Sequence, residues 1–133
     1  MASDVSCINS GFRLVLNFLE VDSSDFGVRA CLDIEYTGRS QNLKFSIAHL
    51  WIEYAELRKF ESDLMDGTEV RLHDMSDYPV LQFERGLSHE NLTINPPSQR
   101  QSLDGDAVVI HLKIEAGSMQ AIHSSLSQFA KWW

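Results

Sequence analysis

The 133-residue sequence predicts an α+β fold, an antiparallel sheet of about six to seven strands with two helices on one face, in the order βββ-α-ββββ-α. Two observations carry this. Stretches of period-two alternation follow one another directly, which favours antiparallel pairing over a βαβ arrangement. Apolar spacing shifts to a helical period twice, once mid-chain and once at the C-terminus.

Residues 1–10 are polar and read as a flexible leader to a single domain spanning 1–133. Phe12 to Val21 reads as a strand. Phe12, Leu14, Leu16 and Phe18 lie on one face and Val15, Leu19 and Val21 on the other, as in a strand covered from two sides or one carrying a bulge. Asp22-Ser23-Ser24-Asp25 is turn chemistry. Gly27 to Tyr36 alternates cleanly, with Val28, Ala30, Leu32, Ile34 and Tyr36 inward, and Leu43, Phe45 and Ile47 continue the set on a third strand.

From Ile47 the apolar residues Leu50, Trp51, Tyr54, Leu57, Phe60, Leu64 and Met65 predict an amphipathic helix. Glu53, Glu56, Lys59 and Asp63 take its other side, Ser46 is its expected N-cap, and Gly67 its expected left-handed terminator. Short strands follow around Val70 and Leu72, Leu81 and Phe83, and Leu92 and Ile94. Pro96 to Asp106 reads as a long polar loop. Ala107 to Glu115 is the expected last strand, with Val108, Ile110, Leu112 and Ile114 on one face. A second helix capped by Ser118 buries Met119, Ile122, Leu126, Phe129, Ala130 and Trp133.

Eleven Lys and Arg against nineteen Asp and Glu give a formal charge of −8. That balance argues against nucleic acid and against anionic membrane surfaces as partners, both of which draw on surplus cations. The two cysteines form no C-x-x-C pair and read as small free thiols. With no signal-peptide pattern at the N-terminus and no apolar run long enough for a membrane span, the expected compartment is cytoplasmic.

No catalytic motif stands out. The five histidines, His49, His73, His89, His111 and His123, lack the i, i+4 spacing of a helical metal site. Gly117-Ser118-Met119 is not a nucleophile elbow, the glycines form no phosphate loop, and the acids miss the calcium-loop spacing. No cofactor or metal is expected.

Charge distribution supplies the functional lead. Residues 1–77 hold fourteen acids and seven bases, and residues 78–133 hold five and four. Glu61, Asp63, Asp66, Glu69, Asp74 and Asp77 stand against Arg71 alone, and such a cluster would speed encounter with a basic protein. Asp63, Asp66, Glu69, Asp74 and Asp77 are therefore the candidate partner-binding carboxylates. Trp132, off the buried stripe, is a candidate anchor for a partner or a homodimer.

The stretches Leu57 to Gly67, Tyr78-Pro79-Val80-Leu81-Gln82-Phe83-Glu84 and Val108 to Phe129 carry a resemblance. Their order, after an opening strand meander, resembles the WapI-type bacterial immunity proteins and related uncharacterised bacterial domains. The polar loop from Pro96 to Asp106 departs from that pattern. The resemblance implies a non-enzymatic inhibitor that occludes a toxin domain, with no catalytic residues to transfer. The expected function is thus an acidic binding protein for a basic toxin domain. The alternatives from other classes are a small enzyme with a site gathered from distant residues and a homo-oligomeric structural module.

Overall fold

A computed structural model describes residues 4–96, 108–131 and 133. Strands β1 (Asp4–Asn9), β2 (Phe12–Asp22), β3 (Gly27–Thr37) and β4 (Asn42–Glu53) precede helix α1 (Tyr54–Asp66). Strands β5 (Glu69–His73), β6 (Pro79–Arg85), β7 (His89–Ile94) and β8 (Ile110–Glu115) precede helix α2 (Ser118–Gln128). The class is α+β, but the described strands form two sheets rather than one, each an antiparallel meander in sequence order, β1-β2-β3-β4 and β5-β6-β7-β8. Among the described residues the same ββββα order therefore occurs twice, although no sequence repeat announces it.

The helices are exchanged between the units. Helix α1 ends the first unit and packs on β5, with Phe60 6.2 Å from Phe83 of β6. Helix α2 ends the second unit and packs on β1, with Phe129 beyond its end 5.1 Å from Phe18 of β2. The two helices also touch each other, so the expected helices laid on one face become a crossed pair joining two sheets. Inward faces of both sheets and one stripe of each helix close a single core, including Leu14, Leu32, Ile52, Leu64, Leu92 and Ile122. Residues 4–9 belong to this architecture and not to a leader. Val5 and Cys7 alternate inward, where the apolar core holds a strand that its polar neighbours disguise.

Two β-bulges explain where the sequence misleads. In β4, Ile47 pairs with Leu32 and Leu50 with Ala30, so Ala48 and His49 together oppose Cys31. The extra residue re-phases the strand, and Leu50 and Ile52 face inward again, both fully buried. The step from Ile47 to Leu50 thus imitates the i, i+3 spacing of a helix. The helix begins only at Tyr54, and Ser46 is no cap: its hydroxyl donates to Asp33 Oδ1 at 2.6 Å across the sheet. In β2, the register shifts between Phe18 and Glu20, and Val15 alone of the second apolar set is buried, with Leu19 and Val21 partly exposed. Arg29 spans both irregularities, pairing with Glu20 at 2.6 Å and donating to the Ala48 carbonyl at 3.3 Å.

Both helix-terminus expectations change. Gly67 has an extended backbone, φ −73°, and its N–H donates to the Asp63 carbonyl at 2.7 Å. Glycine is needed there because a Cβ would lie 2.6 Å from that carbonyl oxygen. At α2 the cap position is Gly117, left-handed at φ 95°. Ser118 is one residue inside and donates to the Glu115 carbonyl at 2.7 Å. The capping acceptor is Glu90 of β7, whose carboxylate takes the Gly117 N–H at 3.1 Å and the Met119 N–H at 2.8 Å. Val108, expected inward, is exposed and precedes β8. The rest of the expected loop, 97–106, and Ala107 lie outside the described residues.

Glu90 is buried, and its negative charge meets the positive end of the α2 dipole. Glu90→Ala strands two N–H donors and should lower unfolding free energy by about 2 kcal/mol. Glu90→Gln, which keeps one carbonyl acceptor, should cost about half as much by urea denaturation.

Candidate functional site

The expected acidic cluster is dispersed by its own neighbours. Lys131, at the end of the chain, pairs with Glu61 at 3.1 Å, and Ser127 donates to the same carboxylate. Lys59 lies 2.7 Å from Asp63 one helical turn away, and that carboxylate's hydrogen bond raises the Lys59 pKa above its ordinary value. Arg71 pairs with Glu69, which also accepts from Gln82 at 3.2 Å. Glu61, Asp63 and Glu69 are thus locally neutralised. Asp66 is exposed at the end of α1, apart from the others. Trp132 lies outside the described residues. Its neighbour Trp133 stacks on Tyr54 at 5.7 Å and meets Phe18 edge-on at 5.2 Å, packed against the core and half-buried.

Asp74 and Asp77 meet different company. They sit in the β5–β6 turn, where Asp74 Oδ1 accepts the Ser76 and Tyr78 N–H groups at 2.9 and 3.0 Å. Asp77 has φ 61°, a left-handed position that aspartate tolerates better than most residues. The turn faces the junction of β4 and α1. There a concavity of about 310 Å³ collects Glu53, Glu56, Asp74 and Asp77, with Lys59 and His73 on its wall. Glu56 Oε2 accepts the His73 N–H at 2.8 Å and lies 3.0 Å from His73 Nδ1, which fixes the base of the concavity. Glu53 occupies the α1 N-cap position without a side-chain capping bond, and it is exposed. Lys59 is already engaged with Asp63. Glu53 and Glu56 were visible in the sequence only as the polar side of a helix. Their convergence with the later turn depends on the chain folding back through β5.

The grouping closest in residue type to a catalytic site is Cys7, Asn9, Glu90 and Ser118, at the α2 N-terminus. Asn9 Nδ2 donates to Ser118 Oγ at 3.0 Å, and its buried Oδ1 has no hydrogen-bond partner among the described residues. All but Asn9 are essentially sealed from solvent, and both Glu90 oxygens serve helix N–H groups. Burial is the largest influence raising the Cys7 thiol pKa, and the nearby Glu90 and Glu115 charges add to it. A thiol held protonated is a weak nucleophile, so the geometry here braces the helix. Each histidine side chain hydrogen-bonds to a different neighbour, for example His111 to Thr93 and His49 to Arg29. Among the described residues no three His, Cys, Asp or Glu side chains group as metal ligands. Nor is any described helix long and apolar enough to cross a membrane.

Comparisons with protein-family models, curated proteins and solved structures return no match.

Both cysteines are free, Cys7 buried and Cys31 half-buried on the outer sheet face. Burial first, and then the Asp33 charge, raise the Cys31 pKa as well. Iodoacetamide near neutral pH should label Cys31 slowly and Cys7 only on unfolding, read by mass spectrometry. A thiol pKa raised by folding means the native state holds its proton longer. The Cys7 contribution to stability is therefore full below the unfolded thiol pKa of about 8.5 and is lost as pH rises through the folded value. Cys7→Ala should flatten part of that alkaline decline in urea midpoint.

Proposed function

We propose that this chain is a non-enzymatic binding protein that docks a basic protein partner at the acidic concavity between β4, α1 and the β5–β6 turn. The observation that carries this reading is the convergence of Glu53, Glu56, Asp74 and Asp77 from separate elements around one recess. Carboxylates held on a rigid junction raise local potential without the ordering cost of mobile side chains. They attract cations over a Debye length and select against acidic partners. A recess of this size accepts one or two lysine or arginine side chains. Such a protein would act by occlusion in a cytoplasm, as the immunity proteins it resembles do against a toxin domain whose own cations engage phosphates.

The docking carboxylates in this proposal are Glu53, Glu56, Asp74 and Asp77. Asp63, Asp66 and Glu69 supply long-range field only, since two of them already face local cations.

The assay is stopped-flow mixing with a lysine-rich probe polypeptide, poly-L-lysine, as the stand-in for a basic partner. Glu53→Gln with Asp77→Asn should slow association roughly threefold or more at low salt and much less at about 300 mM salt. Asp63→Asn should change the rate far less. Equal rates for the double variant and the parent would remove the concavity from the account. Equal slowing by Asp63→Asn would replace it with a diffuse charge effect.

A further inference from the structure

Two sheets of four strands have four outer edges, and the fold treats them unequally. At β1 the edge is covered by α2, with the Ser6 N–H donating to Ser125 Oγ at 3.0 Å. At β5 it is covered by α1, through the His73 N–H and Glu56. Among the described residues the β4 and β8 edges have no such cover. Among the described residues, no backbone group of Asn42–Ile47 or Ile110–Lys113 hydrogen-bonds outside the β3 and β7 ladders. Unpaired edges of this kind template the addition of another strand unless charge, twist or covering structure blocks it.

These two open edges share one crevice of about 570 Å³. Tyr36, Asn42 and Leu43 line it from the first sheet, and His111, Leu112 and Lys113 from the second. Phe45 and Ile47 continue the inward row of β4 and are only half-buried. In a chain of net charge −8, the crevice lining among the described residues holds Lys113 and no carboxylate. Arg39 stands in the adjoining hairpin turn, and the Lys44 side chain on the outer face of β4 is 83% exposed. The acids on that face are Asp33, which accepts from Ser46 at 2.6 Å, and Glu35, shared between Arg13 at 4.0 Å and Lys44 at 3.8 Å. Among the described residues Arg13, Arg39, Lys44 and Lys113 outnumber Asp33 and Glu35 around this edge, opposite to the balance of the chain as a whole.

We propose that the β4 edge accepts an extended acidic segment of another protein as a fifth strand of the first sheet. Period-two alternation fits both walls. Apolar side chains of the added strand would face Leu43, Phe45 and Ile47, while carboxylates on its other face would meet Lys44 and Lys113. This surface lies at the opposite end of β4 from the acidic concavity, so it stands or falls independently of the function proposed above.

The probe is a capped peptide of about ten residues alternating Glu and Val, long enough to pair along the exposed edge. On binding, amide hydrogen exchange over Asn42–Ile47 should slow about tenfold or more. Lys44→Glu with Lys113→Glu should weaken binding about tenfold with an unchanged urea midpoint, and the milder Lys44→Gln with Lys113→Gln serves if the reversal unfolds the protein. An alternating Lys and Val peptide should not bind, and N-methylation of alternate peptide amides should abolish binding. Absence of binding by the Glu and Val peptide overturns the proposal. So does equal binding of the N-methylated or Lys-containing peptide. A peptide-free dimer in sedimentation with these amides already protected would overturn it too, and would assign the edge to a second copy of this chain.

Discussion

Each meander has one apolar face that it cannot bury on itself, and the helix that closes one edge of it comes from the far end of the other meander. This crossed arrangement is the constraint from which the rest follows. A four-stranded sheet with an open apolar face loses about 25 cal/mol for every Å² left in water. The chain resolves this twice, with α1 on β5 and Phe83, and α2 on β1 and Phe18. The helices then meet each other, and one core results where two half-cores would have been marginal. Glu90 fastens the exchange. It belongs to the second sheet and holds by its N-terminus a helix whose body lies on the first.

The exchange also decides which surfaces remain for partners. Covering β1 and β5 with helices leaves β4 and β8 as the uncovered edges among the described residues. The β4–α1 junction, where the chain leaves the first sheet, is where the acidic turn of the second unit folds back. The two candidate surfaces stand at opposite ends of one twelve-residue strand. They carry opposite charge because the acids of the first unit concentrate near its exit, while Arg39, Lys44 and Lys113 gather at the β3–β4 hairpin and β8. Long-range electrostatic steering at either surface would weaken with salt, since both are open to solvent.

The charge cluster illustrates what a linear reading can and cannot carry. Counting acids between Glu61 and Asp77 gives their number correctly but not their partners. Lys59 is one turn away on the same helix and was readable as an i, i+4 pair. Lys131 is at the end of the chain and reaches Glu61 only because α2 packs on α1. Glu53 and Glu56 join Asp74 and Asp77 for the same kind of reason, through a fold-back that no local pattern encodes. Burial of Glu90 was equally hidden, since a lone glutamate in an alternating strand looks like any outward-facing polar residue until a helix N-terminus is placed against it.

Local composition determined the class of this protein, most of its strands, the second helix and the turn positions, because period, turn chemistry and apolar content act over a few residues. The inward sets Val28, Ala30, Leu32 and Ile34, and Met119, Ile122 and Leu126, follow from spacing alone. Tertiary structure decided where β4 ends and α1 begins, since a bulge at Ala48 and His49 gives a strand the spacing of a helix. It decided that residues 4–9 are an edge strand, that the described strands divide into two sheets, and which carboxylates converge on one recess. Those outcomes depend on which distant surfaces come together, and the free energy of that meeting resides in contacts between segments that no short window contains.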